Sequence, residues 1–327
     1  MKLDILIPMY NEDKTVVKPL LDSIAIQQNV NFDNISAIIC IDGGSTKIPE
    51  EYIKNYPFKI EVHHEPHRGV SATRNACLNY SKADYVMFCD CDDMFYNACG
   101  LWIVFREMEV GFDSLVSCFI EESRDPKDPH NPSTTNYVNH EMDSTFVHGK
   151  VHRRQYLIDK QIRWNDKLTI HEDSYFNILC QNLSENVKYC QTPFYLWKWR
   201  DDSVCRHDPK YILKTYNNML DSNDALVTEF MRRAHQDKAM FYAVSMIFDA
   251  YYTMNKDEWI SQENQDYRTA TEKRFADYFR KYEYFWNTIP MNDKMLISNQ
   301  IRNRSVMEGM KMEAITIDAW LNHVKEL

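Results

Sequence analysis

The 327-residue sequence predicts an α/β fold, with a mainly parallel sheet flanked by helices and a helical C-terminal extension. Two observations lead to this prediction. Up to about residue 90, short apolar runs alternate with helical patterns, which is typical of right-handed βαβ units. Beyond about residue 208, aromatic and Met residues recur at helical spacing without alternating segments. We therefore expect an α/β domain over residues 1–207 and a helical region over residues 208–327.

The elements of the first part follow one another at short intervals. They are a strand over 3–8, a helix near 14–28, strands over 35–41 and 58–64, a helix to about residue 80 that Ser71 caps, and a strand over 84–89. The third strand alternates in polarity, so we expect it nearer a sheet edge. A Pro-, Asp- and Asn-rich stretch over 122–140 predicts a long surface loop.

Polar side chains follow the predicted strands where a ligand would bind. In open parallel sheets, ligands lie beyond the carboxyl ends of the strands. The residues at those ends are Tyr10, Glu12, Asp42, Asp90 and Asp92. The chain has only seven glycines, and four of them lie in loops that we assign to the same region: Gly43, Gly44, Gly69 and Gly149. Because glycine permits positive φ and close backbone approach, this clustering indicates a binding site.

Composition excludes several classes of protein. A formal net charge of −10 argues against general adhesion to nucleic acid. The nine cysteines contain no C-x-x-C pair, which argues against a disulfide framework or a zinc ribbon. No apolar run reaches membrane-spanning length, and the first residues lack a signal-peptide pattern, so we expect a cytoplasmic protein. The most apolar helix candidate, 238–254, is interpreted as a core helix.

The strongest local signal is the acidic run Asp90-Cys91-Asp92-Asp93. If the preceding strand stays extended, Asp90 and Asp92 point to one face. Two carboxylates held together repel by roughly 4 kcal/mol at 4 Å and an effective dielectric near 20. A bound Mg²⁺ or Mn²⁺ would remove that penalty. Taken alone, such a pair is more often a solvated acidic turn.

The order of motifs along residues 2–207 adds a resemblance. The segments are LDILIPMYNEDKTVVKPLLDSI, AIICIDGGST, HRGVSATRNACLNYSKADYVMFCDCDD, FVHGKVHRRQYL and IRWNDKLTIHEDSYFNILC, with YLWKWRDDSVCRH as a looser match. In order and spacing they resemble the family 2 glycosyltransferases, which have the Rossmann-like GT-A fold. The resemblance implies an inverting transfer of one sugar from a nucleotide-diphosphate sugar, with UDP as the expected nucleotide and Mn²⁺ or Mg²⁺ as the cofactor.

The resemblance also implies a role for each matching residue. The segment beside the base corresponds to Pro8, Tyr10 and Glu12, the acid that contacts uracil to Asp42, and the stretch over base and phosphates to Gly69 and Arg74. The acid near the ribose corresponds to Asp90, and the metal ligand to Asp92. The family's E-D pair, in which the aspartate is the catalytic base, corresponds to Glu172 and Asp173. Two departures matter. Gly43 replaces a second acid, which leaves uridine specificity open, and a Q-x-x-R-W motif is absent, which favours transfer of a single sugar over polymerisation.

Several further side chains have both a functional and a plain interpretation. His207 completes the metal shell, or it is a surface histidine. His171 touches acceptor or metal, or it is a polar neighbour of the E-D pair. Lys150 lines the acceptor side with His148, or it pairs with a carboxylate. The remaining candidates are the aromatic run 195–199, which stacks on a sugar or packs within a strand, and His63, His64 and His67, which we expect at a wet strand end.

Several hypotheses about function compete, and the first two differ only in the acceptor of the sugar. A glycan or small molecule is the first. The same chemistry on a modified base of DNA is the second, and it would use a basic groove of Arg153, Arg154 and Arg163. A catalytically silent module that binds nucleotide sugars and a partner protein is the third, although the intact acids argue against it. A sugar nucleotidyltransferase would need a glycine-rich loop, and residues 9–18 contain no glycine.

Overall fold

The computed structural model describes residues 1–44, 46–124, 133–139, 145–200, 210–312 and 315–327. The chain divides into two compact units, Met1–His207 and Asp208–Leu327. The first unit contains strands and helices, and the described part of the second contains helices. This agrees with the predicted α/β fold and helical C-terminal region.

The described strands of the first unit belong to two sheets. They are β1 (Leu3–Met9), β2 (Ile35–Asp42), β3 (Lys59–Glu65), β4 (Tyr85–Phe88), β5 (Met94–Phe95), β6 (Ser114–Ser117), β7 (Phe119–Ser123), β8 (Thr134–Val138), β9 (Lys150–Arg153), β10 (Val187–Cys190) and β11 (Tyr195–Trp197). The seven-stranded sheet has the order β10-β6-β9-β4-β1-β2-β3, and the four-stranded sheet has the order β5-β11-β7-β8. In the larger sheet only β9 runs antiparallel to its neighbours. The mainly parallel sheet is confirmed, with β3 at its edge.

Both units contain helices among their described residues. In the first unit they are α1 (Lys14–Ala25), α2 (Glu50–Ile53), α3 (Val70–Tyr80), α4 (Gly100–Val110), α5 (Arg154–Asp159) and α6 (Glu172–Asn182), with a 3₁₀ turn at Phe32–Asn34. In the second unit they are α7 (Tyr211–Arg232), α8 (Gln236–Met254), α9 (Asp257–Ile260), α10 (Gln265–Thr288), α11 (Met291–Met307) and α12 (Ile317–Val324).

The core of the first unit is built around β1. All seven of its residues are buried, as expected for a continuous apolar strand in the middle of a parallel sheet. Helix α1 places Val17, Leu20, Leu21 and Ile24 in the same core. These contacts fix the carboxyl ends of β1, β2 and β4, and the residues that follow those ends form the candidate site.

Two predictions about local structure are wrong. Ser71 does not cap α3, because the cap position is Gly69 and Ser71 lies inside the helix, where its hydroxyl donates to the Leu168 carbonyl (3.0 Å). The expected surface loop over 122–140 contains a strand at its C-terminal side, since β8 pairs antiparallel with β7. Strand β8 lies at a sheet edge and is mostly exposed, which explains its polar sequence.

The second unit has an aromatic core of its own. Tyr216, Tyr251, Trp259, Tyr278 and Tyr282 are almost fully buried there. Helix α8 buries ten residues, in agreement with its interpretation as a core helix. None of the helices in the described ranges combines the length and apolarity that a membrane-spanning segment requires.

Candidate active site

The chain turns where β4 ends. Cys89 adds one hydrogen bond to the ladder, from its N–H to the Leu6 carbonyl (3.0 Å), and the Asp93 N–H then bonds back to the Asp90 carbonyl (3.2 Å). The expectation that an extended strand presents Asp90 and Asp92 on one face is therefore wrong. A turn replaces the strand, and its carboxylates contact different partners.

Arg74 lies between two of the predicted site acids. From α3 it donates through Nη2 to Asp90 Oδ1 (2.9 Å) and through Nη1 to Glu172 Oε1 (2.8 Å). Its guanidinium also lies over the Trp164 ring, 4.4 Å from the centroid, and the side chain is buried. Because one buried cation holds two carboxylates, Arg74 joins the turn after β4 to the start of α6.

This arrangement predicts a large cost for removing Arg74. We expect Arg74→Ala to lower the free energy of unfolding by about 3 kcal/mol, because Glu172 would keep a charge without its buried partner. Urea denaturation of the full chain, followed by circular dichroism, measures the change. Arg106→Ala is the matched control, since Arg106 is exposed and should change stability by less than about 0.5 kcal/mol. Equal stability of the two variants would contradict the assigned role.

Asp173 lies in the first turn of α6, next to Glu172. Burial and the Glu172 carboxylate raise the pKa of Asp173 to about 7, although Arg74 and the Ser174 N–H act in the opposite direction. Its Oδ1 accepts a hydrogen bond from that N–H at 2.8 Å. The residue is only partly buried. The geometry therefore offers a proton acceptor of near-neutral pKa to the solvent side of the site.

Glu12 and Asp92 share a second arginine. Nη1 of Arg200 lies 2.9 Å from Glu12 Oε1 and 3.1 Å from Asp92 Oδ2. Burial and the neighbouring Asp90 raise the pKa of Asp92, and Arg200 lowers it. Arg200 was not predicted as a site residue. Its sequence context, just beyond a short strand, contains no signal for contacts with partners more than a hundred residues away.

Asp42, at the end of β2, organises the loop before α3. Its carboxylate accepts hydrogen bonds from the Arg68 N–H (2.8 Å), the Gly69 N–H (2.9 Å) and Nδ1 of His67 (3.0 Å). The His67 ring in turn stacks on Tyr10, with centroids 4.4 Å apart and planes 17° from parallel. The expectation of a wet strand end therefore omits the role of His67, which connects two residues of the predicted base site.

Two glycines allow this loop to approach the strand ends. Gly69 has φ 91°, and Gly43 has φ 67°. A Cβ on Gly43 would lie 2.9 Å from the Cβ of His67, which is too close for an ordinary contact. Glycine is therefore required at residue 43 both by its backbone conformation and by its neighbour. The replacement of an acid by Gly43, noted as a departure in the sequence, has a structural reason here.

Pro8 is buried inside β1 and pairs with Cys40 of β2. Strand β4 pairs with β1 only as far as Leu6 and Phe88. The backbone groups of Leu6 face β4, since the Leu6 carbonyl accepts a hydrogen bond from the Cys89 N–H. The backbone nitrogen of Pro8, two residues further along, faces the same side, beyond the point where β4 has ended. Its missing N–H therefore costs the sheet no hydrogen bond, and the gap between β1 and β4 opens at this position.

A buried polar cluster lies behind the turn. The Tyr195 hydroxyl donates to Asp93 Oδ2 (2.5 Å) and accepts from the Asp90 N–H (3.3 Å), and the Lys198 N–H donates to Asp93 Oδ1 (3.0 Å). His148 is buried beside Asp93, with 3.9 Å between Nε2 and Oδ2. Burial, with the charges of Asp92 and Asp90, raises the pKa of Asp93 well above its usual value. This role of Asp93 is not predictable from the sequence, since any member of an acidic run looks equally exposed there.

Two sets of side chains are thus candidates for a divalent cation. Ligand atoms of Asp90, Asp93 and His148 lie within 4.8 Å of one another. Both oxygens of Asp93 already accept protein hydrogen bonds, however, and Asp93 and His148 are buried. Asp92 is partly exposed and offers oxygen ligands beside Glu12, which fits a hard cation that must also reach a substrate. The donor chemistry at Asp92 fits Mn²⁺ or Mg²⁺ better than the Asp90, Asp93 and His148 set does, because Asp93 has no oxygen without a protein hydrogen bond.

The remaining candidates take different places. Lys150 is buried and donates to the Phe146 carbonyl, so it packs inside the unit. His171 caps α6 in a left-handed conformation, and burial lowers its pKa. Arg153 pairs with Asp113 at 2.6 Å, so one of the three arginines of the predicted basic groove has its charge compensated. His207 lies outside the described residues.

Two residues of the aromatic run, and His63, pack against neighbours. Tyr195 is buried, and the Trp197 ring lies 4.7 Å from His148 and 5.6 Å from Phe146. His63 stacks on Tyr80 with centroids 3.6 Å apart. Packing within a strand therefore accounts for Tyr195, whereas Trp197 keeps part of its surface exposed.

The part of the chain that contains most of these residues matches a known family. The model of "Glycosyl transferase family 2" matches residues 4–175, more than half of the chain. The chain belongs to glycosyl transferase family 2. Among its relatives, this glycosyltransferase is 26% identical over 220 residues to EpsJ, an uncharacterized glycosyltransferase of Bacillus subtilis, in a match that covers 62% of each chain. It is 28% identical over 232 residues to the glycosyltransferase GlyA of Streptococcus pneumoniae, covering 63% of this chain and 32% of GlyA.

Solved structures show the same GT-A fold. The glycosyltransferase resembles S. aureus TarS 1–349, solved in complex with UDP, with a TM-score of 0.65 and 14% identity over 100% of this chain and 90% of that one. It also resembles the mannosyltransferase PcManGT of Pyrobaculum calidifontis, solved with GDP-Man and Mn²⁺, with a TM-score of 0.52 and 12% identity over 88% of each chain. At these identities the likeness concerns the fold.

Proposed function

We propose that this glycosyltransferase moves one sugar from a UDP-sugar to a hydroxyl group of a glycan or small-molecule acceptor, with inversion and with Mn²⁺ or Mg²⁺ as cofactor. One observation carries the proposal. Asp173, a carboxylate of pKa about 7, lies one residue from Glu172, which Arg74 ties to the acidic turn after β4. A base and a phosphate-binding region would thus be linked within one small network.

The donor would lie along the strand ends. The exposed Tyr10 ring offers a stacking face for a base, and Asp42 is an acceptor that a uracil N–H can use once His67 moves aside. Asp90, with one oxygen on Arg74, would face the ribose. These assignments support uridine as the base. The TarS structure with UDP and the PcManGT structure with GDP-Man show that enzymes of this fold accept different bases.

The reaction would be a single displacement. Asp173 would take the proton of the acceptor hydroxyl as its oxygen attacks the anomeric carbon. The bond from that carbon to the diphosphate oxygen breaks, and its electron pair leaves with the nucleoside diphosphate. Attack opposite the leaving group inverts the anomeric centre. When bound at Asp92, Mn²⁺ or Mg²⁺ supplies positive charge to the diphosphate.

Calorimetric titration with nucleoside diphosphates tests the proposed donor. With Mn²⁺ present, we expect UDP to bind at least about tenfold more tightly than CDP or ADP, because only uracil offers an imide N–H to Asp42. Omitting Mn²⁺ should weaken UDP binding. Equal affinity for the three nucleotides would remove the uridine assignment, and binding that ignores Mn²⁺ would remove the metal from the proposal.

A further inference from the structure

Arg200 occupies the position between two acidic side chains where a cation is expected. Its Nη1 contacts both Glu12 Oε1 (2.9 Å) and Asp92 Oδ2 (3.1 Å). A single nitrogen therefore serves two carboxylates that come from the ends of different strands, β1 and β4. All three side chains are about a quarter to a third exposed, so solvent and a ligand can reach the contact.

The charge around this contact explains why a cation is needed there. Asp92 has Asp90 as an acidic neighbour, and Glu12 lies on the other side of Arg200. Carboxylates brought this close repel one another unless a positive charge lies between them. Arg74, another arginine of the site, is already bound to Asp90 and Glu172. Among the described residues, Arg200 is the cation that contacts both Glu12 and Asp92.

We propose that Arg200 is a displaceable cation of the active site and a diphosphate-binding residue. It holds Glu12 and Asp92 together before the ligands bind. It gives up Asp92 to the divalent cation, and its guanidinium then pairs with the diphosphate of the donor. A guanidinium binds carboxylate and phosphate oxygens by the same two-pronged geometry, so the exchange of partners needs only a side-chain rotation. This inference rests on the proposed function of the same site.

The exchange has opposite consequences for the two ligands. Before nucleotide binds, Arg200 competes with the divalent cation for Asp92, so its removal should strengthen metal binding. Once the cation is bound, Arg200 assists the nucleotide, so its removal should weaken nucleotide binding. A residue that merely maintained the fold would shift both affinities in the same direction. The two signs therefore separate an exchange of partners from a structural role.

Two calorimetric titrations of the full chain test the inference. In the first, Mn²⁺ is added without nucleotide, and we expect Arg200→Ala to bind it about tenfold more tightly than the wild type. In the second, UDP is added at saturating Mn²⁺, and we expect the same variant to bind it about tenfold more weakly. Arg200→Lys should bind Mn²⁺ as the wild type does in the first titration. In the second, its affinity for UDP should lie between those of the wild type and Arg200→Ala. Arg106→Ala, on an exposed face of α4, should match the wild type in both.

The outcomes separate the inference from the function on which it rests. Mn²⁺ affinity that is unchanged or weaker in Arg200→Ala, with normal Mn²⁺ binding by the wild type, overturns the exchange and leaves the metal site intact. A wild type that binds no Mn²⁺ overturns the metal role of Asp92, and with it the inference. Should Arg200→Ala fail to fold, Arg200→Lys decides the matter, since UDP binding equal to that of the wild type would contradict a guanidinium contact.

Discussion

Asp173→Asn should lower turnover by about a thousandfold while leaving donor binding nearly unchanged. The amide has the shape of the carboxylate but accepts no proton, and a positioned general base contributes rate factors of roughly 10² to 10⁴. Contacts with the donor should remain, since Arg74 contacts Asp90 and Glu172 rather than Asp173. Turnover is measured by release of UDP from a donor sugar, and binding is measured by calorimetry with Mn²⁺.

The pH dependence of the wild type provides an independent check on the same residue. Since the base must be unprotonated, kcat/KM should fall about tenfold per pH unit below about 7, the pKa to which burial and Glu172 raise Asp173. The residual activity of Asp173→Asn should lack this inflection. Asp159→Asn, an exposed residue of α5, is the matched control and should keep both rate and profile. Full turnover in Asp173→Asn would eliminate the assigned base.

Asp92→Asn should reduce UDP binding in the presence of Mn²⁺ to the value measured without metal. The amide loses the charge that a hard divalent cation requires, whereas the proposed base contacts at Tyr10 and Asp42 should remain. Calorimetry of UDP with and without Mn²⁺ measures the difference. Asp33→Asn, in the exposed 3₁₀ turn, should retain the full effect of the metal. A persistent response to Mn²⁺ in Asp92→Asn would contradict the metal role of this residue.

The position of the site was predictable from local patterns. Strands β1, β2 and β4 appear as apolar runs because they are buried, and each run ends at a polar residue because the chain there leaves the core. The carboxyl ends of parallel strands meet at one edge of a sheet, so these residues had to be near neighbours. Their identity as a site required no knowledge of the side-chain contacts.

The partners of the site residues were not predictable in the same way. Arg74 and Glu172 are 98 residues apart, Tyr195 and Asp93 are 102 apart, and Arg200 and Asp92 are 108 apart. Such pairs depend on how the two sheets and α6 are arranged, and no local periodicity encodes this arrangement. The same limit explains the wrong assumption about an extended strand at Asp90.

A crystal structure with UDP and Mn²⁺ tests the proposed catalytic centre most directly. We predict an ion held by Asp92 beside the diphosphate, with the Asp173 carboxylate facing the same pocket. An ion bound instead by Asp90, Asp93 and His148, or an Asp173 side chain turned away from the nucleotide, would contradict the proposed catalytic centre.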